Sequence, residues 1–232
     1  MIDWHSHILP EMDDGSQNTA ESLSLLEMLA EQGVKTVIAT PHFYANDESV
    51  ENFLKRREKS YKSLSQKLTE KAPEILLGAE VRYYPGISKL DGLESLKVEK
   101  TDMIMLEMPT GKWTEYAIRE LIELSSMGNI KVVLAHIERY LKQQTSDVVN
   151  RLYESGILMQ VNASFFTEFA ARRKALKLLE NGGINFIGSD CHNIKTRPPR
   201  MEKAYEIIRK KLGTDFISQM NKYGNSVLSK NN

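Results

Sequence analysis

The chain has 232 residues, 31 basic and 31 acidic side chains, and one cysteine, Cys191. Zero net charge leaves no overall basic footprint for nucleic acid, and a lone cysteine excludes an internal disulfide and fits a reducing compartment. No apolar run approaches the ~20 residues of a membrane span, and the start of the chain lacks a basic and apolar leader, so a cytoplasmic protein without membrane insertion is expected.

Short apolar runs alternate with longer amphipathic segments. Residues 2–7 read as a first strand, and Asp13-Asp14-Gly15 follows as a turn. Asn18 stands three residues before Glu21, the spacing of a helix cap. Leu23, Leu26, Leu29 and Ala30 then repeat at helical spacing up to Gly33. Residues 34–40 form a second strand ending in Pro41-His42. Residues 47–71 read as one long charged helix with Phe53, Leu54, Tyr61, Leu64 and Leu68 on its buried face. A third strand, 75–80, continues to Tyr84 and is broken by Pro85-Gly86. Strands over 103–107, 131–136, 158–163 and 185–190 alternate with helices over 115–127, 146–154 and 170–180. Helices over 201–212 and 215–223 complete the pattern, and the polar end is expected to fray. Seven strands, most followed by a helix, predict an α/β fold with a parallel sheet in one domain over 1–232. A closed barrel is the preferred architecture; an open doubly wound sheet has the same pattern.

The residues at the carboxyl ends of these strands form a set. The first strand supplies His5 and His7, the second His42, the third Glu80, the fourth Glu107, the fifth His136, and the seventh Asp190 and His192. Sites in barrels and in open α/β sheets form at that end of the strands, and Asp14, in the loop after the first strand, can reach the same place. His5 and His7, two apart, point to one face of a strand. All five histidines follow short apolar runs, which points to one shared metal site. Nine candidates exceed the three or four protein ligands of a single zinc and suit two or three ions with a bridging carboxylate. Glu80, midway in the set, is the choice for the bridge. Imidazole and oxygen donors without thiolate favour manganese, iron or zinc. Neighbouring divalent ions roughly 3.5–4 Å apart activate water and hold phosphoryl oxygens, so phosphate-ester hydrolysis is expected, with amide hydrolysis as the alternative. Arg139 lies three residues after His136 and Arg197 five after His192. A guanidinium matches phosphate oxygens through bidentate hydrogen bonds, which tilts the choice to phosphate.

Cys191 and Arg197 also have the Cys-x5-Arg spacing of cysteine-dependent tyrosine phosphatases. That chemistry needs a depressed thiol pKa and a loop of N–H groups around the phosphate. The intervening residues, His192 to Thr196, contain no glycine, and Pro198-Pro199 removes two amide donors. Cys191 sits between two candidate ligands and is expected to point away from them.

His5-Ser6-His7, Asp13-Asp14-Gly15, Thr40-Pro41-His42, Gly78-Ala79-Glu80, Ala135-His136-Ile137-Glu138-Arg139 and Ser189-Asp190-Cys191-His192-Asn193 resemble the motifs of the polymerase-and-histidinol-phosphatase (PHP) superfamily. Within it the chain is most similar to the bacterial protein-tyrosine phosphatases of the CpsB/YwqE type, from Met1 to about Tyr205. The resemblance implies a distorted (β/α)7 barrel with three metal ions and manganese-dependent activity. It implies that His5, His7, Glu80 and Asp190 hold one ion, Glu80, Glu107 and His136 a second, and Asp14, His42 and His192 a third. Arg139 and Arg197 would position the phosphate, and a metal-bridging hydroxide would attack phosphorus in line, without a covalent phosphoenzyme. The implied partner is a bacterial tyrosine kinase with a phosphotyrosine tail that controls capsule or exopolysaccharide export. Phe43-Tyr44-Ala45-Asn46 departs from the family pattern, in which a second histidine or basic residue follows, and this bears on substrate preference. A PHP phosphoesterase for a small phosphate such as histidinol phosphate and a non-catalytic metal-binding regulatory subunit are the competing readings.

Overall fold

Strand β1 (Ile2–Ser6) is buried at every residue, as a strand covered on both faces must be. The computed structural model describes residues 1–229. After β1 come α1 (Thr19–Glu31), β2 (Thr36–Ala39), β3 (His42–Phe43), α2 (Val50–Ser65), β4 (Glu74–Leu77) and β5 (Glu80–Arg82). The chain continues through β6 (Met103–Glu107), α3 (Glu115–Ser126), β7 (Lys131–Leu134), α4 (Ser146–Glu154), β8 (Leu158–Asn162) and α5 (Ala163–Thr167). It ends with α6 (Phe169–Glu180), β9 (Phe186–Gly188), α7 (Met201–Leu212) and α8 (Thr214–Leu228).

The strands form two parallel sheets, β1-β2-β4 and β3-β5-β6-β7-β8-β9. Two strands read as continuous from the sequence are each split. Pro41, which has no N–H for the ladder, separates β2 from β3, and Gly78-Ala79 separates β4 from β5. A Cβ on Gly78 would stand 3.0 Å from Val98 Cγ2. Hydrogen bonds carry the wall across both breaks, from Gly78 N to Ala39 O at 2.8 Å and from Glu80 N to Pro41 O at 3.0 Å. The buried Arg57 of α2 donates to Gly78 O at 2.7 Å. The far edge then closes on β1: Asp190 N donates to His5 O at 2.8 Å, and His7 N to Cys191 O at 3.0 Å. The result is a distorted (β/α)7 barrel, and the open sheet is excluded.

Alternation along the strands sorts the apolar side chains. Ile2, Trp4, Ile38, Leu76, Met105, Val133 and Phe186 form the cluster inside the barrel. Val37, Leu77, Ile104, Leu134 and Val161 face the other way, into the larger layer beneath the helices. Helix α8 plugs the amino-terminal end of the barrel. Its Gly224 lies so close that an added Cβ would be 3.1 Å from Ile2 Cδ1, and Val227 and Leu228 pack on the interior cluster.

The differences from the sequence reading have local causes. The helix expected over 47–71 is shorter, because Ser49 caps α2 by accepting from Asn52 N at 3.3 Å and α2 ends at Ser65. The strand expected to reach His136 stops at Leu134, because His136 takes a left-handed backbone with φ of 36°. Ala163 opens α5, which the sequence reading missed. Helix α8 runs on to Leu228 instead of fraying after 223, held by its apolar contacts with the interior; residues 230–232 lie outside the described residues. Among the described residues no helix is long and apolar enough to cross a membrane.

Candidate metal centre

A bulge aims the first two histidines. Asp3 pairs with Val37 and Ser6 with Ala39, so three residue steps on β1 face two on β2. Simple alternation from Ile2 and Trp4 would turn His5 and His7 out of the barrel. The extra residue reverses this, and both imidazoles point inward at Glu80. Gly188 makes the room: a Cβ there would lie 2.5 Å from His5 Cβ.

Glu80, only 1% exposed, is the hub. Its Oε1 is 2.7 Å from His136 Nε2. Its Oε2 is 3.3 Å from His5 Nε2, 3.2 Å from His7 Nε2 and 3.1 Å from His42 Nδ1. Asp190 Oδ1 lies 3.6 Å from His5 Nε2 and 3.5 Å from His7 Nε2. Asp14 Oδ1 lies 3.5 Å from His42 Nε2 and 3.4 Å from His192 Nε2. Glu107 Oε1 is 3.6 Å from His136 Nε2, while its Oε2 accepts from Arg82 at 2.7 Å. All nine side chains proposed from the sequence therefore converge. Two of them, His136 and Asp190, take left-handed backbone, with φ of 36° and 51°, a conformation that costs a non-glycine residue energy and that clusters at functional sites.

Outer partners orient the rings. His7 Nδ1 donates to Asp13 Oδ2 at 2.7 Å, and Asp13 also accepts from His42 N at 2.8 Å and Gly15 N at 2.9 Å. His5 Nδ1 donates to Gln160 Oε1 at 3.3 Å, an oxygen that also accepts from His136 N at 2.6 Å. His192 Nδ1 donates to Asp190 O at 3.0 Å. His136 Nδ1 donates to Tyr140 Oη at 3.4 Å, and that hydroxyl donates on to Met108 O at 2.7 Å. Each of these four rings thus spends Nδ1–H outward and presents Nε2 inward, the arrangement of metal-bound histidines. Asp13, Gln160 and Tyr140 were missed from the sequence. Asp13 had a visible signal beside Asp14 in the turn; the other two had none.

The residues fit divalent cations. His5 Nε2 and His7 Nε2 face each other at 3.1 Å. His42 Nδ1, Glu80 Oε2 and His192 Nε2 are buried without a hydrogen-bond partner, a cost of about 1–3 kcal/mol each for neutral groups unless something serves them. The field of the centre seeks positive charge. Burial pulls the His7 imidazole down, yet Asp13 and Glu80 outweigh it and carry its pKa up to about 10. Burial, joined by His7, takes His192 the other way, to about 4. Burial opposes ionisation of Glu80 and Asp190, but the neighbouring cationic groups hold both carboxyls below their usual range. Three groups have ligand atoms all within 4.8 Å of one another: His7 with Asp14, His42 and His192; His5 with His7 and Asp190; and His42 with Glu80 and Glu107.

Arg139 and Arg197 stand at the edge of this centre. Both donate to Asp190 Oδ2, Arg197 at 2.9 Å, and Asn162 Nδ2 donates to the same oxygen at 2.7 Å. The two guanidiniums remain 41% and 39% exposed. Cys191 is fully buried, and burial together with Asp3 pushes its thiol well above the usual range, the opposite of an activated nucleophile. A cavity of about 690 Å³ between α1 and the stretch after α2, bordered by Leu23, Leu26, Lys35 and Pro73, lies at the other end of the barrel.

The family model for capsular polysaccharide synthesis, CpsB/CapC, matches residues 1–228. The chain belongs to the CpsB/CapC family. Within the family, the tyrosine-protein phosphatase CpsB of Streptococcus pneumoniae is 35% identical, covering 95% of this chain and 94% of its own. The fold matches the crystal structures of YwqE from Bacillus subtilis and CpsB from Streptococcus pneumoniae, unique metal-dependent tyrosine phosphatases, with a TM-score of 0.85 at 27% identity over 100% of this chain and 96% of the other. The barrel is also similar to histidinol phosphate phosphatase from Lactococcus lactis, with a TM-score of 0.55, 16% identity and coverage of 90% and 92%, a likeness of fold.

Proposed function

We propose that this chain is a metal-dependent tyrosine-protein phosphatase serving capsule or exopolysaccharide biosynthesis, with its whole length forming one catalytic domain. The observation that carries the reading is the union of nine converging nitrogen and oxygen side chains with two half-exposed guanidiniums anchored on one of them, Asp190. His5, His7, Asp14, His42, Glu80, Glu107, His136, Asp190 and His192 would hold up to three divalent ions, and the absence of thiolate from the donor set suits manganese. Such ions supply an activated water and offset charge on phosphoryl oxygens. Arg139 and Arg197 bind the remaining phosphate oxygens. Asp190 holds them in place through Oδ2 while its Oδ1 faces the histidines. Tyr44, 39% exposed and with its ring 5.4 Å from that of His42, borders the mouth where an aryl group would lie.

In this reading the chain works in the cytoplasm, and its partner is a bacterial tyrosine kinase presenting a phosphorylated tail. The test compares hydrolysis of a phosphotyrosine peptide with that of histidinol phosphate by the manganese-loaded protein. Higher kcat/KM for the peptide supports the protein-phosphatase reading. Preference for histidinol phosphate would replace it with a small-molecule phosphatase, and metal binding without turnover of either would make the chain a regulatory subunit.

A further inference from the structure

The cleft beside Asp190 carries one guanidinium, that of Arg200, which the phosphate contacts leave unused. Arg139, Arg197 and Arg200 line it together with Ser164, Glu168 and Thr196, around a volume of about 200 Å³. Arg139 and Arg197 lean on Asp190. Arg200, exposed at the start of α7, pairs with no carboxylate among the described residues. Next in the chain to Glu168 comes Phe169, which is 90% exposed.

An exposed phenylalanine is ordinary by itself; here it rides on a braced turn. Arg172 Nε donates to Phe166 O at 3.1 Å and Arg172 Nη2 to Thr167 O at 3.3 Å. Phe165 and Phe166 are buried beneath the turn. Helix α5 packs on α7, so the turn bearing Phe169 and the helix start bearing Arg200 have a shared support. An exposed apolar side chain, one residue along the chain from the cleft wall at Glu168, and an unpaired guanidinium in that wall therefore lie beside the phosphate site.

We propose that this cleft is a subsite for the residues next to the scissile phosphotyrosine, with Phe169 packing on the peptide and Arg200 receiving an acidic side chain. The proposal rests on the tyrosine-phosphatase reading above. Charge selects the acidic side chain: with Arg139 and Arg197 given to the phosphate, Arg200 is the remaining guanidinium of the cleft, and Glu168 is the one lining carboxylate not already engaged by arginine. A small aryl phosphate would occupy the metal centre and leave both Phe169 and Arg200 untouched.

The experiment uses the manganese-loaded full chain and measures kcat/KM for p-nitrophenyl phosphate and for two phosphotyrosine peptides, one flanked by aspartates and one by lysines. Wild type should prefer the aspartate-flanked peptide. Arg200→Glu should cut the aspartate-to-lysine ratio about fivefold, the scale of an exposed ion pair replaced by repulsion. Phe169→Ala should lower the ratio of peptide to p-nitrophenyl phosphate about fivefold through KM, for both peptides alike. Intact aryl-phosphate turnover with unchanged peptide ratios in both variants overturns the subsite alone. Failure of wild type to hydrolyse any of the three substrates overturns the phosphatase reading and the subsite with it.

Discussion

Asp13 and Asp14 adjoin in the chain and do different work. Asp14 points an oxygen at His42 and His192, whereas Asp13 stands behind His7 and fixes its ring. The sequence places both in one turn, and only the folded loop tells the candidate ligand from the residue that orients a ring. The same limit hid Gln160, whose single oxygen serves His5 and the backbone of His136. The histidines and Glu80 were legible because each sits at the carboxyl end of an apolar run, and strand ends in this fold share one rim. Asp13→Asn should weaken metal binding about 10–100-fold, as the loss of an outer partner does, read by metal titration; wild-type affinity would deny Asp13 that role. Arg139→Ala should lower turnover about 10²–10³-fold, the scale of a lost oxyanion donor, while metal content measured by mass spectrometry stays at the wild-type level. Loss of metal with the arginine would mean that it acts through Asp190, not on phosphate.

Element boundaries followed local chemistry wherever that chemistry was in the sequence. Asn18 caps α1 by accepting from Glu21 N at 3.0 Å, as its spacing predicts, and β6 and α4 have the limits read from periodicity. The bulge in β1 was invisible because it depends on how β1 registers against β2 and not on the residues of β1 alone. A second element-scale device is Glu120 of α3, 3% exposed. Its carboxylate accepts from Tyr83 Oη at 2.9 Å, Gly86 N at 3.1 Å, Ser88 N at 3.2 Å and Ser88 Oγ at 2.9 Å. It thereby ties the loop after β5 to the helix. Burial pushes the Glu120 carboxyl up, and these donors outweigh it and hold its pKa below the usual range. A depressed carboxyl pKa stabilises the fold above its unfolded-state value near 4.5, and that contribution is lost as pH falls through the folded value. Glu120→Gln should therefore cost about 1–3 kcal/mol at pH 7, where it leaves charged-acceptor bonds unmade. In urea titrations the gap to wild type should narrow as pH drops below 4.5; a gap that stays constant with pH would remove the charge from the explanation.

At the scale of the molecule, seven apolar runs and the helices between them were enough to suggest the barrel. Closure was decided by contacts between the two ends of the sheet, such as Asp190 N to His5 O across 185 residues of chain, which no local pattern carries. The plug made by α8 was likewise hidden, since Gly224 reads as a weak helix residue until Trp4 and Ile2 are seen against it. The barrel gathers five histidines and four candidate ligand carboxylates at one end, with His42 Nδ1, Glu80 Oε2 and His192 Nε2 left without a hydrogen-bond partner. Ions that bind the folded chain stabilise it by mass action, so chelation should lower the melting temperature and manganese should restore it, with no recovery in His136→Ala.

Metal-dependent chemistry is separated from thiol chemistry by the hydrolysis of a phosphotyrosine peptide by wild type and Cys191→Ser, each stripped by chelator and then reloaded with manganese. Both proteins should lose activity on stripping, regain it with manganese, and match each other throughout. Activity that survives stripping in wild type but is absent from Cys191→Ser would contradict the metal-dependent reading, and would place the chemistry on the thiol.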